Sequence, residues 1–337
     1  MPLEVQFNLG GEFKDVKVVD VPKPSIQSDN QVLIKFLLNP VNPSDVYSVL
    51  GAYQGFQPES YPAVPGLEGV AVVEEVGKSV SSVKVGQRVV IIIGDIRGGP
   101  TKIGTWKDYA LYDEENIFPV PDNVSDEAAA QAIVNPVTAY ALLDKLNVPQ
   151  GDYVLQTAAG SVLGRIFIQF AKRRGIKTIN LVRRKELVDE LKAIGADEVL
   201  NTEDGTDVVE EIKRITNGKL AYGAIDAVGG DLGLKISQGV RDDGHIFLYG
   251  ALGGFTVQAS TIDLLFRNVN YTGFWLSKYF KDSGKDKVLE TIGKVFELLG
   301  DQVEPFAGTK YPLEKVSEAI EESLKPGRGG KVLLTHA

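Results

Sequence analysis

From Asp152 onward, short apolar runs alternate with stretches of helical period, and no other feature restricts the fold as much. "YVLQTAA" reads as a buried strand and "VLGRIFIQFAKRRG" as a helix; "KTINLV" and "ELVDELKAIG" repeat the pair, and "DEVLN" is a third strand. "TDVVEEIKRITNG", "GAIDAVGG" and "GHIFLYGA" continue the pattern. Strand and helix in this succession imply a doubly wound parallel sheet, since parallel neighbours need a crossover connection. Beyond about residue 265 the regularity fades, and "GGKVLL" near the end reads as a strand returning to the first domain. To about residue 122 the chain is instead rich in short β-like runs separated by turn residues. "QVLIKFLL" (31–38), "GVAVVEEVG" (69–77) and "GQRVVIII" (86–93) point to a barrel-like or sandwich-like unit. Between the two, "NVSDEAAAQAIVNPVTAYALLDKL" has helical period, with Ser125 suited to cap it. The expected organisation is a β domain over 1–122 completed by 266–337, and an α/β domain over 123–265.

Composition narrows the chemistry. The chain has 337 residues, enough for two domains, no cysteine, and histidine only at 245 and 336. Thiolate nucleophiles, disulfides and Cys-rich zinc sites are therefore excluded. His245 reads as a strand-start residue, and His336 sits where chains usually fray. No metal is expected, and a Ser-His-Asp site is disfavoured. A net charge of -9 argues against a general nucleic-acid or membrane binder, and no apolar run approaches the ~20 residues that a spanning helix needs. The first residues show neither a secretory nor a transit pattern, so a cytoplasmic location is expected; a mature organellar form is also compatible.

The first strand-to-helix turn of the alternating region reads "TAAGSVLGR", Thr157 to Arg165. A glycine turn there brings a pyrophosphate close to backbone N–H groups at a helix N-terminus. Only Gly160 and Gly164 are present, so the turn alone fits a purely structural junction equally well. The end of the second strand discriminates. NAD-binding units carry an acid there for the ribose hydroxyls, whereas this chain has Arg183, Arg184 and Lys185. Three cations near a helix N-terminus oppose its dipole, and a 2′-phosphate would supply the missing anion. The expected cofactor is NADPH. "KRRG" at 172–175, by contrast, ends its helix and is explained by dipole compensation.

Several segments together resemble the medium-chain dehydrogenase/reductase superfamily over nearly the whole chain. "PGLEGVAVVEEVG" (65–77) looks like its signature, with Leu67 where the zinc alcohol dehydrogenases carry histidine. "NPVNPSDVYSVLGAY", "GTWKDYA", "NPVTAYALL", "VRRK" and "GFWLSKYFK" are most similar to the zinc-free, mitochondrial-type trans-2-enoyl-CoA/ACP reductases, with quinone oxidoreductases as near relatives. The resemblance implies a GroES-like β-barrel catalytic domain and a Rossmann cofactor domain. It implies Tyr53 as the catalytic residue, and cofactor contacts from Asn135 and from Gly160, Ser161, Val162 and Leu163. Arg183, Arg184 and Lys185 would hold the 2′-phosphate. Tyr249, Gly250, Ala251 and Leu252, then Phe274, Trp275, Leu276 and Ser277, and finally Lys331 would complete the site. Asn42 and Trp275 are candidate substrate contacts. Asn42 and Asp45 equally suit an ordinary turn and cap, Trp275 equally suits a core, and Asn135 before Pro136 suits a helix cap. This chain departs from its relatives at Val162, at "YGAL" without a second glycine, and in a loop after Tyr53 that is one residue longer.

Reducing a conjugated C=C bond takes a hydride at the β-carbon, a proton at the α-carbon, and a donor for the enolate charge. A tyrosine hydroxyl supplies such a donor while neutral at pH 7, and Tyr53 lies in the polar, Gly-flanked loop "LGAYQGFQPE". The expected activity is NADPH-dependent reduction of trans-2-enoyl thioesters of coenzyme A or acyl carrier protein. NADPH:quinone reduction is the rival within the superfamily, and a non-enzymatic NADPH-binding sensor the rival outside catalysis. A homodimer joined at a sheet edge is common in the superfamily, and "GFTVQAS" (254–260) is a candidate edge strand.

Overall fold

The computed structural model describes residues 1–8, 10, 12–52, 58, 60–92, 104–300, 303 and 306–337. By contact density the chain divides into two compact units, Met1–Val137 with Phe280–Ala337, and Thr138–Tyr279. Strands β1 to β7 are Leu3–Gln6, Lys17–Asp20, Gln31–Pro40, Val70–Val76, Arg88–Ile91, Tyr109–Asp113 and Ile117–Pro119. Strands β8 to β13 are Tyr153–Gln156, Lys177–Val182, Glu198–Asn201, Ala221–Asp226, Val240–Leu248 and Asn270–Gly273; β14 and β15 are Ala307–Pro312 and Lys331–Thr335. Helices α1 to α6 are Pro43–Val49, Asp126–Ala130, Asn135–Leu146, Val162–Arg173, Leu187–Ala193 and Val208–Ile215. Helices α7 to α11 are Leu232–Gly239, Thr261–Phe266, Leu276–Ser283, Lys285–Gly300 and Val316–Leu324.

In the first unit the main sheet runs β14-β15-β3-β4-β5-β7, with β6 also paired to β3. β3 carries its apolar residues in near-continuous succession and has strand neighbours on both edges. On one face Val32, Ile34 and Phe36 pack with Ala71, Val73, Val89 and Ile91. A second core gathers Val5, Phe7, Val41, Val46 and Trp106 against Leu313, Val316, Ile320 and Val332. The C-terminal strand β15 runs antiparallel to β3, pairing Leu334 with Asn39. The tail does not fray at His336. Its ring is buried, with Nδ1 2.9 Å from Asp108 Oδ1 and Nε2 2.6 Å from Asn39 Oδ1, while Asp108 Oδ2 accepts from Leu3 N. The last turn of sequence is thus tied to the first strand.

The second unit is a six-stranded parallel sheet in the order β10-β9-β8-β11-β12-β13. Its helices bury apolar faces: Ile166, Phe167, Phe170 and Ala171 of α4 are all inside, and Val208 and Ile212 of α6 join Leu155, Ile179 and Ile236. The strand order reverses between β8 and β11, the crevice position where doubly wound sheets bind ligands. The segment 254–260 is not an edge strand. It makes one bridge, Gly230 to Val257, and the sheet edge is β13 instead.

The helical stretch expected from Ser125 to Leu146 is two helices. Ser125 Oγ accepts from Ala128 N at 3.2 Å to open α2, which stops at Ala130; α3 opens at Asn135. Between them the amides of Ile133 and Val134 are drawn away to a side chain described below. Among the described residues no helix is long and apolar enough to cross a membrane.

Candidate active site

The turn joining β8 to α4 is built for close approach. Ser161 Oγ accepts from Gly164 N at 3.1 Å, which fixes the first turn of α4. A Cβ on Gly164 would lie 2.6 Å from the Ala159 carbonyl oxygen, so only glycine lets the helix sit this near the strand end. Thr157 Oγ1 donates to Asp226 Oδ1 at 2.6 Å and accepts from Ala227 N at 2.9 Å. Asp226 Oδ1 also accepts from Val228 N at 2.8 Å. The turn is thereby fastened to the end of β11, at the point where strand order reverses. Val162 is the first residue of α4 and half-buried, and Leu163 is buried. The geometry suits a phosphate at the helix N-terminus.

β9 ends at Val182, and Arg183, Arg184 and Lys185 follow it, exposed, before α5 opens at Leu187. Among the described residues, neither Arg183 nor Arg184 has a side-chain hydrogen bond or ion pair. Nearby arginines behave differently. Arg165 reaches Glu190 at 2.6 Å and the Gly160 carbonyl at 3.2 Å; Arg174 lies 4.4 Å from the centre of the Tyr140 ring. Lys185 lines a surface hollow with Asn201, Asp204 and Thr206.

After β12, the Tyr249 hydroxyl is buried and has no hydrogen-bond partner among the described residues. Burial, helped by the Asp226 charge, pushes its pKa up, so it stays a neutral donor. A Cβ on Gly250 would lie 2.7 Å from the Ala227 carbonyl oxygen, whereas Leu252 is exposed. Phe274 is buried, but Trp275 is 40% exposed and is not a core residue; Leu276 and Ser277 open α9 half-buried.

In the first unit, Asn42, Lys331 and the approach to Asn135 converge on a residue that the sequence did not single out. Glu68 is buried and its carboxylate meets donors on every side: Asn42 Nδ2 at 2.9 Å on Oε1, and Val134 N at 2.8 Å and Ile133 N at 3.0 Å on Oε2. Lys331, also buried, donates from Nζ to Asn42 Oδ1 at 2.6 Å. Asn42 is at the same time the N-cap of α1, its own N–H donating to Asp45 Oδ2 at 2.7 Å. Asp45 Oδ1 and Asn135 Nδ2 are buried without partners among the described residues. Burial pushes the Glu68 carboxyl up, against the pull of Val134, Asn42 and Lys331. Asp45 is pushed up to about 7 by burial, with the Glu68 charge adding to it, and Lys331 is pushed down to about 8 by burial, opposed by Glu68 and Asp45. Glu68 meets only donors, so its carboxylate is best satisfied when ionised, whereas Asp45, with Oδ1 unbonded among the described residues, has room for a proton. The signal in sequence was a lone carboxylate in the apolar run "PGLEGVAVV". Tyr53 lies outside the described residues.

Residues 28–122 match the alcohol dehydrogenase GroES-like domain, and residues 162–294 match the zinc-binding dehydrogenase family. This chain does not fit the metal: it has no cysteine, Leu67 stands in the signature, and no group of three His, Cys, Asp or Glu among the described residues could hold an ion. The chain is 34% identical to the mitochondrial enoyl-[acyl-carrier-protein] reductase of Homo sapiens, over 99% of its own length and 89% of the relative's. A quinone oxidoreductase of Pseudomonas syringae superposes with a TM-score of 0.84 at 26% identity, covering 99% of this chain and 100% of that one. A mycobacterial protein solved in complex with NADPH superposes with a TM-score of 0.84 at 25% identity and the same coverage.

Proposed function

The chain belongs to the medium-chain dehydrogenase/reductase superfamily, and from that premise we propose that it is an NADPH-dependent reductase of trans-2-enoyl thioesters. The observation that carries this reading is the full-length similarity to enoyl-[acyl-carrier-protein] reductases. The site supports it. The β8–α4 turn offers backbone donors to a pyrophosphate, and Arg183 and Arg184 stand without partners where a 2′-phosphate would lie. The orphaned Asn135 Nδ2 and Tyr249 hydroxyl are polar groups still needing a ligand. Lys331, Gly250 to Leu252 and Phe274 to Ser277 complete the proposed contacts, with Asn42 and Trp275 towards substrate.

NADPH supplies the hydride when bound. The protein's part is to orient the acceptor and to stabilise charge developing on the thioester oxygen. Tyr53 takes that part as a neutral hydroxyl donor and delivers the proton side of the reduction. Substrates borne on coenzyme A or on acyl carrier protein present the same reacting group. The reading includes a cytosolic enzyme or a mature organellar form, and a homodimer through the outer edge of β13, which exposed apolar residues of the preceding α8 support.

Stopped-flow NADPH oxidation against crotonyl-CoA, longer enoyl thioesters and several quinones tests the activity. Turnover with the thioesters is expected. Quinone turnover without crotonyl-CoA turnover would move the function to quinone reduction, which the likeness to the Pseudomonas enzyme supports. NADPH binding without any turnover would leave only the sensor reading.

A further inference from the structure

We propose that Glu68 is the positioning residue of this active site, setting from one buried carboxylate three residues assigned above to cofactor or substrate contact. Asn42 is held directly, Lys331 through Asn42, and Asn135 through the adjoining amides of Ile133 and Val134. The inference rests on the function proposed above for those three residues.

The hydrogen-bond inventory leaves no alternative arrangement. An ammonium group donates only, so Lys331 fixes Asn42 with Oδ1 towards it. Asn42 must then present its NH2 to Glu68. The backbone amides of Ile133 and Val134 are donors as well, so an ionised carboxylate is the one side chain of this size that satisfies all of them. The Glu68 backbone is fixed too: its carbonyl accepts from Asn39 Nδ2 at 2.8 Å and Thr105 Oγ1 at 3.0 Å. Segments far apart in sequence therefore take their relative positions from Glu68. The buried positive charge of Lys331 is balanced by it at one amide's remove.

Two variants separate positioning from packing. Glu68→Gln places an NH2 against donors on one side or the other. Glu68→Asp keeps the charge but is one methylene short, so it reaches Asn42 or the 133–134 amides and not both. In each variant kcat with whichever acceptor the wild type reduces should fall by about ten-fold or more. The dissociation constant for NADPH should rise by a smaller factor than kcat falls, because its phosphates are assigned to the parallel-sheet unit and Glu68 acts only on the contacts of Asn135 and Lys331. Thermal melting and circular dichroism establish that the variants are folded; if Glu68→Gln does not fold, Glu68→Asp decides. A folded Glu68→Asp enzyme with wild-type kcat, or a loss of rate that only follows lost NADPH binding, overturns the assignment. The wild-type acceptor panel and an NADPH titration come first. A wild type that neither binds nor oxidises NADPH refutes the functional reading and takes this inference with it, whereas an active wild type with indifferent Glu68 variants refutes the inference alone.

Discussion

At Asn42 a single side-chain amide separates an ammonium from a carboxylate, and the neighbouring Asp45 carries the consequence. Its carboxyl titrates near 7 in the folded protein against an ordinary value of 3.8. Between those values the folded state holds a proton that the unfolded chain has released. The associated stability is complete below about pH 4 and is lost as pH rises through 7. Asp45→Asn, which cannot ionise, should melt higher than wild type at pH 8, and the advantage should vanish towards pH 4. Melting curves across that range check this; an offset independent of pH would show that Asp45 does not titrate there. Arg183 and Arg184 form the other residue-scale case. Each charge-assisted bond to a 2′-phosphate contributes roughly 1.5–3 kcal/mol. Arg183→Ala with Arg184→Ala should therefore weaken NADPH by at least about 100-fold while leaving NADH unchanged. Equal losses for both cofactors, measured by fluorescence titration, would count against a 2′-phosphate site. These arginines were readable in sequence because they conflict with a local rule, cations ahead of a helix. Glu68 shows locally only as a lone carboxylate in an apolar run; its partners come from residues 42, 133–134 and, through Asn42, 331, which no local window can see.

Elements were legible where periodicity determines them and obscure where one side chain does. β9 spans Lys177–Val182, the six residues of the "KTINLV" run; it is buried from Thr178 on, the polar Thr178 and Asn180 included. The break between α2 and α3 has no such signature in hydrophobic period; it exists because Glu68 draws off two amides before Asn135. Residues 254–260 looked like a strand by composition, yet they make one bridge, while the short, mixed sequence of β13 forms the edge. The β8–α4 junction permits a sharper test. A Cβ at Gly164 would meet the Ala159 carbonyl oxygen at 2.6 Å and its Cα at 2.7 Å, both backbone atoms that cannot rotate away. Gly164→Ala should cost about 1–3 kcal/mol in stability. The displaced helix terminus should weaken NADPH and NADH alike, in contrast to the arginine variants, because both carry the pyrophosphate. A melting temperature and cofactor affinities equal to wild type would show that the junction has slack.

At the scale of the assembled molecule, the open question is what covers the exposed apolar side chains that precede β13. Phe255 is 85% exposed, Ile262 65%, Leu265 70% and Phe266 81%, all in the parallel-sheet unit. β13 has β12 on one side and no other partner among the described residues, so its outer backbone groups are open to pairing. An open strand edge beside apolar side chains is a hazard in a monomer and an asset in a two-fold dimer. Antiparallel pairing of β13 with its copy would join two six-stranded sheets, and the isologous contact would present each patch to its equivalent. Charged residues at these positions should then separate the protomers without unfolding them, because in the protomer the side chains touch mostly solvent. Ile262→Glu with Phe266→Glu is expected to shift the mass seen by sedimentation equilibrium from dimer to monomer at micromolar concentration, with unchanged circular dichroism. The wild type fixes the reference: a monomer at the same concentration would mean that the patch serves something other than a second copy of this chain.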